Sequence, residues 1–145
     1  MKSFKIQIAD ATNAGDAREW GLCAHYGVER SAHDSKRYDV ASDIEVGDKH
    51  ISVKASAFTL MSGSLCEGKE TLDEIWGIFA ERVHSNTFAY VTKDGTTYEM
   101  DLNEFKDLVY TFCKVERESE GNGGAYKVRA KKESGIMRKW LEARA

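Results

Sequence analysis

The chain has 145 residues, enough for one domain over 1–145 that buries a sizeable core without disulfides or a structural metal. Hydrophobic residues make up 41% and charged residues 31%, a globular balance that excludes a disordered polymer. A formal net charge of −3 argues against a general nucleic-acid coat protein.

No apolar run approaches the roughly 20 residues that span a bilayer, so no membrane association is expected. The opening MKSFKIQIAD is too short and polar for a signal peptide, and a cytoplasmic location follows as the expectation. The three cysteines, Cys23, Cys66 and Cys113, are widely spaced and form no CxxC pair. That pattern excludes a disulfide framework and a zinc ribbon, and predicts buried structural thiols.

The first segment predicts a strand with Phe4, Ile6 and Ile8 on one side. Asp10, Thr12 or Asn13 caps a helix reaching about Tyr26, with Ala17, Trp20, Ala24 and Val28 on its apolar side and Gly27 as its stop. Residues 29–36 are polar and read as a loop. Residues 37–46 alternate: Tyr38, Val40, Ser42, Ile44 and Val46 share one face, and Asp39, Ala41, Asp43 and Glu45 the other. Gly47-Asp48 forms a two-residue turn. A second strand over 49–60 sends Ile51, Val53 and Ala55 to the core.

Thr71 and Glu74 form a capping box before a helix to about His84, with Leu72, Ile75, Trp76, Phe79 and Val83 at helical spacing. Residues 87–93 and 96–101 form a hairpin around Asp94-Gly95, which suits a type I′ turn. Asp101 and Glu104 form a second capping box. Its helix carries Leu102, Phe105, Leu108, Val109 and Phe112. A glycine-rich loop at 121–124 precedes a short strand with Tyr126, Val128 and Ala130. Ser134 caps a last helix with Met137, Trp140 and Leu141 inward. Trp20, Trp76 and Trp140 read as core anchors. The order predicts an α+β (mixed α/β) fold: a central mixed or antiparallel sheet with packed helices.

A tight turn at Gly47-Asp48 pairs Val46 with Lys49, Glu45 with His50, Ile44 with Ile51 and Asp43 with Ser52. Asp39, Asp43, Glu45, His50, Ser52 and Lys54 then project from one face. Carboxylates gathered on one face suit Mg²⁺ or Mn²⁺, or remain a solvated surface. A lysine beside them can orient water or stabilise a developing phosphate charge.

The run from Tyr38 to Ser56 resembles the core of the PD-(D/E)XK, restriction-endonuclease-like nuclease superfamily. Asp43 matches its first acid, with Asp39 as the alternative, and Lys54 matches the lysine of the next strand. Glu19 matches the acid often found on the preceding helix. The resemblance covers roughly residues 14–100, and it departs at Ser52, where the second acid belongs. It implies a restriction-endonuclease-like core and a metal-dependent nuclease acting on DNA phosphodiesters. Asp43, Lys54, Glu45 and Glu19 would be catalytic, and Asp43, Glu45 and Asp39 would hold Mg²⁺ or Mn²⁺. Small phage and mobile-element members of that superfamily often act as homodimers. Ser52 supports the alternative: an inactive member that binds nucleic acid, or binds and inhibits a protein.

Two further segments suit a nucleic-acid backbone. Ser56 and Thr59 lie in a run of small and hydroxyl residues that can donate to phosphates. Residues 125–145 carry seven Lys or Arg against two Glu. Within them, Lys127, Arg129 and Lys131 share one face of a strand, with Lys132 beside them. An exposed basic edge that discourages aggregation explains the same residues.

Overall fold

The structure, a computed structural model, describes residues 1–30, 42–55, 57–61, 66, 68–117, 126–130 and 134–145. Its elements run β1 (Lys2–Lys5), α1 (Ala14–Tyr26), β2 (Ile44–Val46), β3 (Lys49–Ala55), β4 (Thr59–Met61) and α2 (Leu72–Arg82). They continue with β5 (Thr87–Val91), β6 (Thr96–Asp101), α3 (Leu102–Phe112), β7 (Cys113–Arg117), β8 (Tyr126–Ala130) and α4 (Gly135–Arg144). The fold is mixed α+β. Among the described residues it holds four helices and two sheets rather than one.

The larger sheet has the order β1-β6-β5-β3-β2. Only the β3–β5 pair is parallel, as required where α2 carries the chain across the sheet. The smaller sheet has the order β4-β8-β7 and is antiparallel.

Both faces of the larger sheet are covered. On one, Ile51, Ala89 and Val91 pack with Ile6, Leu22 and Cys23, so α1 lies over this side. On the other, Phe88, Tyr90, Tyr98 and Met100 meet α2, α3, α4 and the small sheet. Phe105 is fully buried at the centre of this second core. Its ring stacks on Phe88 at 4.2 Å and touches those of Phe58, Trp76 and Phe79. All three cysteines are buried free thiols, as expected.

The local start signals hold. Asn13, Thr71, Asp101 and Ser134 each accept a backbone N–H from the first turn of their helices, and both capping boxes close. Five expectations need correction. The strand expected over 49–60 divides into β3 and β4. The strand β7 was not expected; α3 runs straight into it, without glycine or proline to mark the change.

The hairpin turn is not a two-residue type I′ turn. Thr92 N–H donates to Thr96 O and Gly95 N–H to Thr92 O, so Lys93 and Asp94 are the central residues. Gly95 follows with φ 88°, which makes a three-residue loop. The buried side of α1 is Ala17, Arg18, Gly21, Leu22 and Cys23; of the expected stripe Ala17 is buried and Val28, past the helix end, packs on the core, but Ala24 is exposed. Arg18 tolerates burial because its guanidinium donates to the carbonyls of Val91 and Ala14, both at 3.1 Å. Finally, Trp20 is half-buried with Arg30 over its ring and is not a core anchor, whereas Trp76 is buried in the core and Trp140, half-buried with Arg144 over its ring, packs against it.

One polar knot ties three elements together. Glu99 on β6 accepts from Lys49 Nζ at 2.5 Å and from Tyr26 Oη at 2.6 Å. Burial raises the Glu99 pKa, but the hydrogen bonds and the lysine charge outweigh it and hold the carboxyl below the usual glutamate range. A carboxylate depressed in the folded state contributes stability above its unfolded value, about 4.3, and loses it as pH falls through the lower folded value. The denaturation midpoint will therefore drop as pH is lowered below that range. Glu99→Gln will flatten the drop, as read by urea titrations across acidic pH. An unchanged profile would remove Glu99 from the acid sensitivity.

Candidate functional site

The first two pairs of the expected hairpin register, and the third, are all present: Val46 with Lys49, Glu45 with His50 and Ile44 with Ile51. Beyond Ile44 the chain leaves that register. Asp43 N–H donates to Ile51 O at 2.9 Å, and Asp43 Oδ2 accepts the Val53 N–H at 2.7 Å. A side chain therefore takes the place of a backbone carbonyl as partner of β3. This turns Asp43 toward the α1 side of the sheet.

There Asp43 lines a cavity of about 260 Å³ with Asn13, Asp16, Glu19, Val53 and Ala55. Glu19 and Asp43 thus line the same cavity. Asp16 is already engaged, accepting from the Asn13 side-chain amide at 2.8 Å.

Lys54 lies on the other side. It pairs with Tyr90 across the parallel ladder, and its Nζ is 5.8 Å from the Phe58 ring centroid. Its charge also reaches Cys113, whose thiol burial pushes up to about 12, with the lysine pulling the other way. Ser52 is buried at 8% exposure and pairs with Phe88. Asp43 and Lys54 are thus not brought together, and the expectation of one shared face fails for Asp43. The reason is the Val53 N–H, which captures the carboxylate. Asp16, Glu19 and Asp43 bring three carboxylates to this cavity, and Lys54 is not among its described lining residues.

Glu45 keeps its expected face, opposite His50. It meets His50 Nδ1 at 3.3 Å and His84 Nε2 at 3.9 Å. His84 follows α2 and was not singled out from the sequence; no local spacing links it to the hairpin. Asp39, Ser56, Lys131 and Lys132 lie outside the described residues.

The remaining basic and hydroxyl residues meet on the small sheet. Thr59 pairs with Arg129, and Arg129 with Lys114 on β7. All three are exposed, whereas Val128, Ala130 and Cys113 point into the core. Lys127, half-exposed, pairs with Glu116 one step along the same face. Lys114 was missed in the sequence because its strand was missed. Two cations directly opposite on one sheet face repel each other, and an anion spanning them relieves that repulsion. Comparisons with protein-family models, with curated proteins and with solved structures found no match.

Among the described residues, no helix is long and apolar enough to cross a membrane.

Proposed function

We propose that this chain is a nucleic-acid-binding domain, with DNA as its ligand and a restriction-endonuclease-like core that has lost the cleavage constellation. The observation that carries the reading is the row Thr59, Arg129 and Lys114, exposed and in register on the small sheet. Two neighbouring cations with a hydroxyl beside Arg129 offer charge and hydrogen bonds to a phosphate backbone without reading bases. The separation of Asp43 from Lys54 supports the loss of cleavage. So does the buried Ser52, which offers neither charge nor a metal ligand of useful strength.

The test is fluorescence anisotropy with labelled duplex and single-stranded oligonucleotides over a salt series. Wild-type protein binds, and binding weakens steeply with salt. The double variant Lys114→Ala/Arg129→Ala weakens it by about tenfold or more and lowers the salt slope by about 2. Lys139→Ala on α4 serves as a surface control. No binding at low salt, or an unchanged double variant, overturns the reading. Supercoiled plasmid incubated with Mg²⁺ or Mn²⁺ completes the test, and no nicking is expected. Metal-dependent nicking lost in both Glu19→Gln and Asp43→Asn would instead assign cleavage to the cavity under α1.

A further inference from the structure

We propose that Glu45, His50 and His84 form a binding site for a divalent transition ion of the zinc class. One donor atom from each lies within 4.8 Å of the other two, the only such trio of metal-ligating side chains among the described residues. The His50 Nδ1–Glu45 Oε1 pair is 3.3 Å apart. Tetrahedral bonds of about 2.0–2.1 Å place neighbouring ligand atoms about 3.3 Å apart, so this edge already has the required length. The His84–Glu45 edge, 3.9 Å, closes by a small rotation of exposed side chains.

The backbone supporting the trio is cross-tied. Asn86 Oδ1 accepts the His50 N–H at 3.0 Å, and Asn86 N–H donates to His50 O at 3.0 Å. Asn86 Nδ2 donates to Asp48 O at 2.8 Å in the hairpin turn. The neighbouring Ser85 hydroxyl is buried against that of Ser42, 3.1 Å away and just before β2. The two residues following His84 therefore clasp the hairpin that carries Glu45 and His50. The three side chains are presented together before any ion arrives. The His50 and His84 rings lie 4.6 Å apart and tilted, not stacked flat.

Two imidazoles and one carboxylate form a borderline-soft set that suits Zn²⁺, Co²⁺ or Ni²⁺ and discriminates against Mg²⁺ and Ca²⁺, which take oxygen ligands. Three protein ligands leave one tetrahedral position for water or an incoming ligand. Glu45 and His84 are 61% and 57% exposed, so that position faces solvent. The site lies on the opposite side of the hairpin from the Asp43 cavity and does not depend on the nucleic-acid reading.

Titrating untagged full-length protein with ZnCl₂ by calorimetry tests the site. One equivalent binds. His50→Ala and His84→Ala each weaken binding at least tenfold, His25→Ala leaves it unchanged, and a large excess of Mg²⁺ does not compete. Independently of any substitution, zinc moves the imidazole NMR signals of His50 and His84 among the four histidines. Binding that survives both substitutions, competition by Mg²⁺, or zinc that leaves those two imidazole signals in place overturns the proposal.

Discussion

Phe105→Ala will lower the unfolding free energy by about 4 kcal/mol, the range for removing a buried aromatic ring from a close-packed core. The ring is fully buried and touches rings from α2, β5 and the segment before β4. Few neighbours can move into the space, because Phe58 and Phe88 are themselves held by strands. Phe58 O accepts the Ala130 N–H at 2.8 Å, so the ring also fixes how the small sheet sits on the larger core. Phe105→Leu keeps most of the volume and will cost less, about 1.5 kcal/mol. Guanidinium unfolding followed by tryptophan fluorescence and by circular dichroism reads both. A loss below about 1 kcal/mol for the alanine variant would mean that this core collapses freely around the gap.

The parts of the fold written in local chemistry were legible. Thr71 with Glu74 and Asp101 with Glu104 announce helix starts, and Gly47-Asp48 sets the register that places Glu45 opposite His50. What failed depends on contacts distant in sequence or on one side chain's choice of partner. Alternation alone places Asp43 beside Ser52 and Lys54. The Val53 N–H takes the Asp43 carboxylate instead, and nothing in the spacing signals that. His84 joins the hairpin through Ser85 and Asn86, whose partners lie far back along the chain. Lys114 stayed hidden because α3 passes into β7 without a punctuating residue, in a chain with no proline. The small sheet was invisible for the same reason, and with it the row that places Arg129 between Thr59 and Lys114.

The hairpin turn supplies the second large effect. Gly95→Ala will destabilise the protein by about 3 kcal/mol, because two penalties coincide. Gly95 has φ 88°, a region that residues with a Cβ enter at a cost. A Cβ built there also falls 2.2 Å from the Ile6 carbonyl oxygen, which is backbone and cannot swing aside. The Ile6 N–H donates to Gly95 O at 2.9 Å, so relieving the clash stretches the bond that holds the chain after β1 against the turn. Gly47 separates the two penalties. Its φ is 58°, and a Cβ there meets nothing within 4 Å, so Gly47→Ala carries the conformational cost alone, about 1 kcal/mol. Urea midpoints of the two variants therefore differ, and the difference measures how tightly the edge strand β1 is pressed onto the turn. Equal losses would show that Ile6 and its strand yield without cost, and that β1 is held only by its ladder with β6.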